Sequence, residues 1–247
     1  MKQQVKQAND ARDRLIVALD GSREQALCWA RELAGSARWV KVGMTLFYQT
    51  GPAIIEEMKA LGYQVFLDLK LHDIPHQVEG AARTLGSLGV DLLTVHSFGG
   101  RPMMEAAMQG AHAGAAAAGH AAPKVVAVTV LTSMSDTDLH DISVVLPAAI
   151  QVERLATLAR AAGTDGIVCS PHEAAPSRTL LGPDAWIVTP GVRPGRSAAD
   201  DQSRIATPTQ ALAAGASHLV VGRPITGSPD RLQAFSDLLS DLGVEGV

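Results

Sequence analysis

The sequence predicts a single (β/α)₈ barrel, on three observations. The chain has 247 residues, close to the ~250 typical of that fold. Eight short apolar runs alternate with longer helical segments, the order expected when a parallel sheet is wrapped by helices. Charged residues cluster at the C-terminal ends of several of these runs, which is where barrel enzymes carry their chemistry.

The strands are expected at residues 15–19, 39–42, 63–69, 92–96, 125–131, 166–169, 186–189 and 219–222. Most are near-continuous apolar runs, as suits parallel strands covered on both faces. Helical segments are expected at 22–34, 52–60, 75–88, 101–118 and 151–162, with a last helix at 230–242. Gly62, Gly89, Gly163 and Gly215 each stand just before a strand, a natural site for a helix C-terminus. The Ala-rich stretch 106–122 reads as a helix and loop outside the barrel. An open doubly wound sheet would call for a Gly-rich dinucleotide loop after the first strand. That strand instead ends in Asp20-Gly21-Ser22, without G-x-G-x-x-G. No Pro/Ser-rich linker divides the chain. Residues 1–12 are expected to form a flexible tail and residues 13–247 the barrel domain.

Composition narrows the function classes. Apolar residues make up 47% of the chain, enough for a large core, and the net charge is −4 with both signs dispersed. No basic block or aromatic–basic interleaving points to nucleic acid. An anionic substrate must therefore be attracted by local positive charge. The two cysteines, Cys28 and Cys169, form no C-x-x-C and are expected to be reduced thiols. The first residues are polar and lack a signal-peptide core, and no run approaches the ~18 apolar residues of a membrane span. A soluble cytoplasmic protein with no membrane or nucleic-acid partner is expected.

The ends of the strands, in order, give Asp20; Lys41; Asp68, Lys70 and Asp73; His96; Thr129, Thr132 and Ser133; Ser170; Thr189-Pro190-Gly191-Val192-Arg193; and Gly222-Arg223. The densest is Asp68-Leu69-Lys70-Leu71-His72-Asp73-Ile74-Pro75. Strand alternation sends Asp68 and Lys70 to one side, and Pro75 suits the first turn of the next helix. A strand that only filled a core would not carry these charges, because unpaired buried charges are costly. With Lys41 they can form an alternating set, Lys41, Asp68, Lys70 and Asp73, in which each charge would have an opposite neighbour. Arg193 and Arg223 follow strands seven and eight in Gly-containing turns, the common phosphate site of barrels, and a guanidinium holds phosphate oxygens bidentately. His96 is expected to hydrogen-bond in the barrel mouth. The histidines share no metal-ligand spacing, and no G-x-S-x-G occurs.

These residues resemble one family, the orotidine 5′-phosphate decarboxylases of pyrimidine synthesis, and among them the shorter bacterial single-function members. The block Asp68 to Pro75 is similar to the family signature. Val17-Ala18-Leu19-Asp20, Val40-Lys41-Val42-Gly43, Val130-Leu131-Thr132-Ser133, Thr189 to Pro194, Asp201-Gln202 and Val221-Gly222-Arg223-Pro224 are similar to its other blocks, in family order. The resemblance implies a carboxy-lyase that converts orotidine 5′-phosphate to uridine 5′-phosphate (UMP) without metal or organic cofactor. It implies Lys70 as proton donor to C6 and Asp68 beside the departing carboxylate. It also implies that Lys41 and Asp73 complete the charge network, with Asp73 reaching across a homodimer interface. Asp20 and Lys41 are implied at the ribose, Thr132 and Ser133 near the pyrimidine, and Arg193, Gln202, Gly222 and Arg223 at the phosphate. Ile74 and Pro190 join the implied substrate contacts. Residues 195–202, rich in Gly, Ser, Ala and Asp, are expected to be a mobile lid.

Overall fold

The computed structural model describes residues 11–192 and 206–242. Eight parallel strands close into a barrel in sequence order, and the first pairs with the last. They are β1 (Leu15–Ala18), β2 (Trp39–Gly43), β3 (Gln64–Leu71), β4 (Leu92–His96), β5 (Lys124–Val128), β6 (Gly166–Val168), β7 (Trp186–Thr189) and β8 (His218–Val221). Around them lie α1 (Arg23–Leu33), α2 (Met44–Thr50), α3 (Ala53–Ala60), α4 (Pro75–Gly86), α5 (Gly100–Ala118), α6 (Asp136–Asp141), α7 (Ala148–Ala161), α8 (Ala174–Leu181), α9 (Pro208–Ala213), α10 (Arg223–Thr226) and α11 (Arg231–Asp241).

Alternation along each strand splits the core in two. Ile16, Trp39, Phe66, Leu92, Val126, Val188 and Val220 fill the barrel interior. Their neighbours Leu15, Val17, Val40, Val65, Leu93 and Val125 face the helices instead. The same parity turns Lys41, Asp68 and Thr94 inward, one layer above the interior plug. At the opposite, N-terminal end, Trp39, Trp186 and His218 form an aromatic floor. The His218 ring stacks on Trp186 with centroids 4.1 Å apart. Burial, with a smaller contribution from the Arg14 charge, pushes the His218 imidazole down to about 4.

Local chemistry sets the helix ends. Ser22 and Gln25 cap α1 reciprocally, satisfying two donors that a helix start leaves open. Pro75 opens α4, as its fixed φ favours. Gly62 and Gly163 follow α3 and α7 at φ 86° and 77°, a left-handed conformation that a Cβ would resist. The Ala-rich stretch is helical to Ala118 and ends in a left-handed Gly119. It lies outside the barrel, yet one face of it is deeply buried. Gly110 and Gly114 meet the α4 backbone so closely that an added Cβ would lie 2.2 Å from the Glu79 carbonyl oxygen and 1.9 Å from that of Arg83.

Strand five is shorter than its apolar run suggests. It ends at Val128, because β6 ends at Val168. The Thr129 N–H and hydroxyl both donate to the Val168 carbonyl, and Val130 and Leu131 leave the sheet. Most of the expected 1–12 tail lies outside the described residues, although Ala11 is buried against the core. Among the described residues no helix is long and apolar enough to cross a membrane.

Candidate active site

A cavity of about 440 Å³ opens at the C-terminal end of the barrel, within the range of small-ligand sites. Its polar wall includes Asp20, Lys41, Asp68, Lys70, Thr132 and Arg223. Its apolar wall is contributed by strand ends and turns, among them Val128, Val168, Val188 and Pro190. A second hollow of about 400 Å³ shares Asp20, Lys41, Asp68 and Lys70 with it and continues toward Met44 and Gln49. The four charges therefore stand at the junction of two lobes.

They form one chain of contacts. The Lys41 ammonium donates to Asp20 Oδ1 at 3.0 Å and lies 3.7 Å from Asp68 Oδ2. The Lys70 ammonium donates to Asp68 Oδ1 at 2.9 Å. The Thr94 hydroxyl donates to the same oxygen at 3.0 Å. Burial raises the Asp68 pKa, but the Lys41 and Lys70 charges and the hydrogen bonds from Lys70 and Thr94 outweigh it. The net result is a carboxyl below its usual value. Asp68 is thus held as a carboxylate between two cations. Gly43 leaves room for this pair, since a Cβ there would lie 3.1 Å from both Asp20 Oδ1 and Lys41 Nζ.

Asp68 and Lys70 meet for a reason other than simple alternation. Between paired positions β3 advances four residues, Leu67 to Leu71, while β4 advances two, Leu93 to Val95. The intervening residues bulge, and Lys70 takes φ 51°. A left-handed conformation costs a non-glycine residue roughly 1–2 kcal/mol, and bulges of this kind re-aim side chains beside active sites. The bulge turns the Lys70 ammonium back onto Asp68.

The single chain brings Asp20, Lys41, Asp68, Lys70, Thr132, Pro190, Gly222 and Arg223 around the main cavity. Ser133 follows Thr132 but does not line it. Asp73 and Ile74 stand apart. Both are exposed, Asp73 Oδ1 accepts from the Ile74 N–H at 2.6 Å, and among the described residues Asp73 makes no ion pair. Arg193, Gln202 and the expected lid at 195–202 lie outside the described residues. His96 accepts from the Phe98 N–H and stacks on His72 at 5.2 Å. Burial, then the His72 and Lys70 charges, push it down to about 4, so it is neutral at pH 7. Among the described residues no cluster of three or more His, Cys, Asp or Glu could hold a metal ion.

The profile of the family described as orotidine 5′-phosphate decarboxylase / HUMPS matches residues 13–238. The chain belongs to that family. It is 46% identical over 241 residues to the orotidine 5′-phosphate decarboxylase of Heliobacterium modesticaldum, covering 96% of this chain and 98% of that protein. It is 48% identical over 236 residues to that of Chromohalobacter salexigens, covering 92% and 95%. Among solved structures it resembles the orotidine 5′-phosphate decarboxylase of Lactobacillus acidophilus, with a TM-score of 0.83 and 41% identity over 95% of this chain and all of that one. The profile match spans all eight strands, β1 to β8. Sequence reasoning passed over Thr94. The available signal was a hydroxyl residue at an inward position of the otherwise apolar run Leu92-Leu93-Thr94-Val95.

Proposed function

We propose that this chain decarboxylates orotidine 5′-phosphate to UMP, the last step of de novo UMP synthesis, with Lys70 as the proton donor. The observation that carries this reading is the ionised Lys41–Asp68–Lys70 chain, which shares one cavity with the Gly222-Arg223 turn. The cations at the junction face the pyrimidine end, and Arg223 takes the phosphate.

In the reaction the bond from C6 to the carboxyl carbon breaks, CO₂ departs, and the electron pair stays at C6. That pair lies in the ring plane, where the π system cannot delocalise it. An ammonium held at C6 stabilises the charge and then supplies the proton. Asp68, facing the substrate carboxylate, keeps Lys70 aimed. Its repulsion of that carboxylate adds to the drive for CO₂ loss. Asp20 and Lys41 hold ribose hydroxyls, and Thr132 and Ser133 border the ring. The phosphate is remote from C6, so its binding at Arg223, Arg193 and Gln202 serves positioning and closure. Asp73 and Ile74 complete the site of a second copy in a homodimer, which accounts for their exposure in one chain. The enzyme works in the cytoplasm.

The reading requires no metal. A Mg²⁺-dependent reaction on the same barrel is disfavoured by Lys41, because a cation lining the cavity repels a divalent ion. The test is the ultraviolet absorbance of orotidine 5′-phosphate on adding purified enzyme with excess EDTA. Loss of the orotate chromophore with stoichiometric UMP and CO₂ is expected. Turnover only after Mg²⁺ is restored would assign the chain a metal-dependent reaction instead. No turnover in either condition, by a folded protein that binds UMP, would leave a nucleotide-binding barrel.

A further inference from the structure

Lys70 and Asp68 sit on an irregular stretch of backbone, and something must hold that irregularity. Across the bulge the paired positions jump from Leu67 to Leu71 on β3. In a regular parallel sheet the Lys70 N–H would donate to a main-chain carbonyl of the neighbouring strand. Here it donates to the Thr94 side-chain hydroxyl at 2.8 Å. The same hydroxyl donates to Asp68 Oδ1 at 3.0 Å, and that oxygen accepts from the Lys70 ammonium at 2.9 Å. Thr94 Oγ1 thus closes a ring with the backbone and side chain of Lys70 and the carboxylate between them. A hydroxyl is one of the few groups able to do this, since it accepts and donates at once. Thr94 has no solvent exposure, sits in the middle of a regular strand, and is β-branched, so its χ1 is stiff.

We propose that Thr94 is a positioning residue that holds Lys70 in its left-handed conformation and fixes the Asp68 carboxylate against the ammonium. It does not line the cavity and acts only through these two residues. The inference deepens the decarboxylase reading and rests on it for its kinetic consequences, but its geometric content stands apart from any activity. Removing the hydroxyl takes away the acceptor of the Lys70 N–H and leaves Asp68 Oδ1 with the Lys70 ammonium alone. The bulge then relaxes toward regular β geometry and swings the ammonium away. Rates respond strongly to such displacements, of the order of a hundredfold for about 1 Å.

The test uses Thr94→Val, which keeps the shape and removes the hydroxyl, and Thr94→Ser, which keeps the hydroxyl. In Thr94→Val, kcat for orotidine 5′-phosphate is expected to fall about a hundredfold or more. KM and the Kd for UMP are expected to stay within about threefold, because the ribose and phosphate contacts are untouched. Thr94→Ser is expected to keep kcat within tenfold of the wild type. A Thr94→Val protein with kcat within threefold of the wild type would overturn the proposal. So would a folded Thr94→Ser protein that loses more than tenfold, and this result decides the matter even where Thr94→Val does not fold. A crystal structure of the more stable of Thr94→Val and Thr94→Ala reads the geometry whatever the protein turns over. Loss of the positive Lys70 φ, or separation of Lys70 Nζ from Asp68 beyond 4 Å, is expected. An unchanged Lys70–Asp68 arrangement would refute the positioning role. An inactive wild type would instead refute the decarboxylase reading and leave this structural arm to decide the role of Thr94.

Discussion

Asp68→Asn probes the charge junction with the smallest change of shape. The carboxylate accepts from Lys70 at 2.9 Å and faces Lys41 at 3.7 Å. At an effective dielectric constant of about 20 these contacts are worth roughly 6 and 4 kcal/mol of gross Coulomb attraction. Desolvation offsets much of that sum, and removing one partner from a buried pair costs a net ~3–5 kcal/mol. Lys41 keeps Asp20 at 3.0 Å, so the loss falls mainly on Lys70. Its side chain is 29% exposed and regains some water, which limits the effect on folding. On its proposed role as proton donor, what it loses is its aim at the reacting carbon. The expected fall in kcat is therefore between about 10² and 10⁴, with a smaller loss of folding stability. The assay is steady-state decarboxylation by ultraviolet absorbance beside urea unfolding of both proteins. The stability arm carries a pH signature. The folded Asp68 carboxyl lies below its usual value, so its stabilisation is complete above the unfolded pKa of about 3.9. It is lost as pH falls through the folded value. The gap between wild type and variant should be full at pH 7 and close under acid conditions. A folded Asp68→Asn enzyme with kcat within tenfold of the wild type would refute the account of the junction.

Other perturbations reach separate parts of the account. Arg223→Ala should lower kcat/KM by at least about 1.5–3 kcal/mol, a tenfold to more than hundredfold loss, as expected for charge-assisted bonds to phosphate; unchanged kinetics would remove Arg223 from the phosphate site. Mixing inactive Lys70→Ala with inactive Asp73→Ala protein should restore part of the activity through mixed dimers, and no recovery after verified subunit exchange would end the shared-site proposal. His218, held down to about 4 in the folded barrel, takes up a proton on unfolding at its ordinary value near 6.5. Its stabilisation is therefore full above pH 6.5 and about 2 kcal/mol weaker at pH 5. His218→Phe should flatten that part of the stability profile, and identical acid sensitivity in the two proteins would contradict the assignment.

The barrel was legible in the sequence because parallel strands buried on both faces leave continuous apolar runs, and all eight runs became strands. The junction was legible because charges at the ends of such runs have few structural uses. Strand parity alone turns Lys41, Asp68 and Thr94 into one interior. The bulge was not legible. A register shift depends on how β3 and β4 pair, and nothing local to Asp68-Leu69-Lys70 announces it. Thr94 was missed for the same reason, since a lone threonine in an apolar strand acquires its role only when the shift brings the Lys70 N–H against it. The burial of α5 was also hidden. An Ala-rich helix reads as exposed until Gly110 and Gly114 are seen meeting the α4 carbonyls. Asp73 marks a different limit, because one chain leaves it exposed and its proposed role needs a second copy.

The most direct test of the central claim is turnover by Lys70→Ala, followed with orotidine 5′-phosphate under single-turnover conditions beside the Kd for UMP. The account predicts a folded protein that still binds UMP, because Arg223, Asp20 and Lys41 remain, but whose decarboxylation rate has fallen by many orders of magnitude. Near-normal turnover by the same protein would contradict it, and would take the proton transfer away from Lys70.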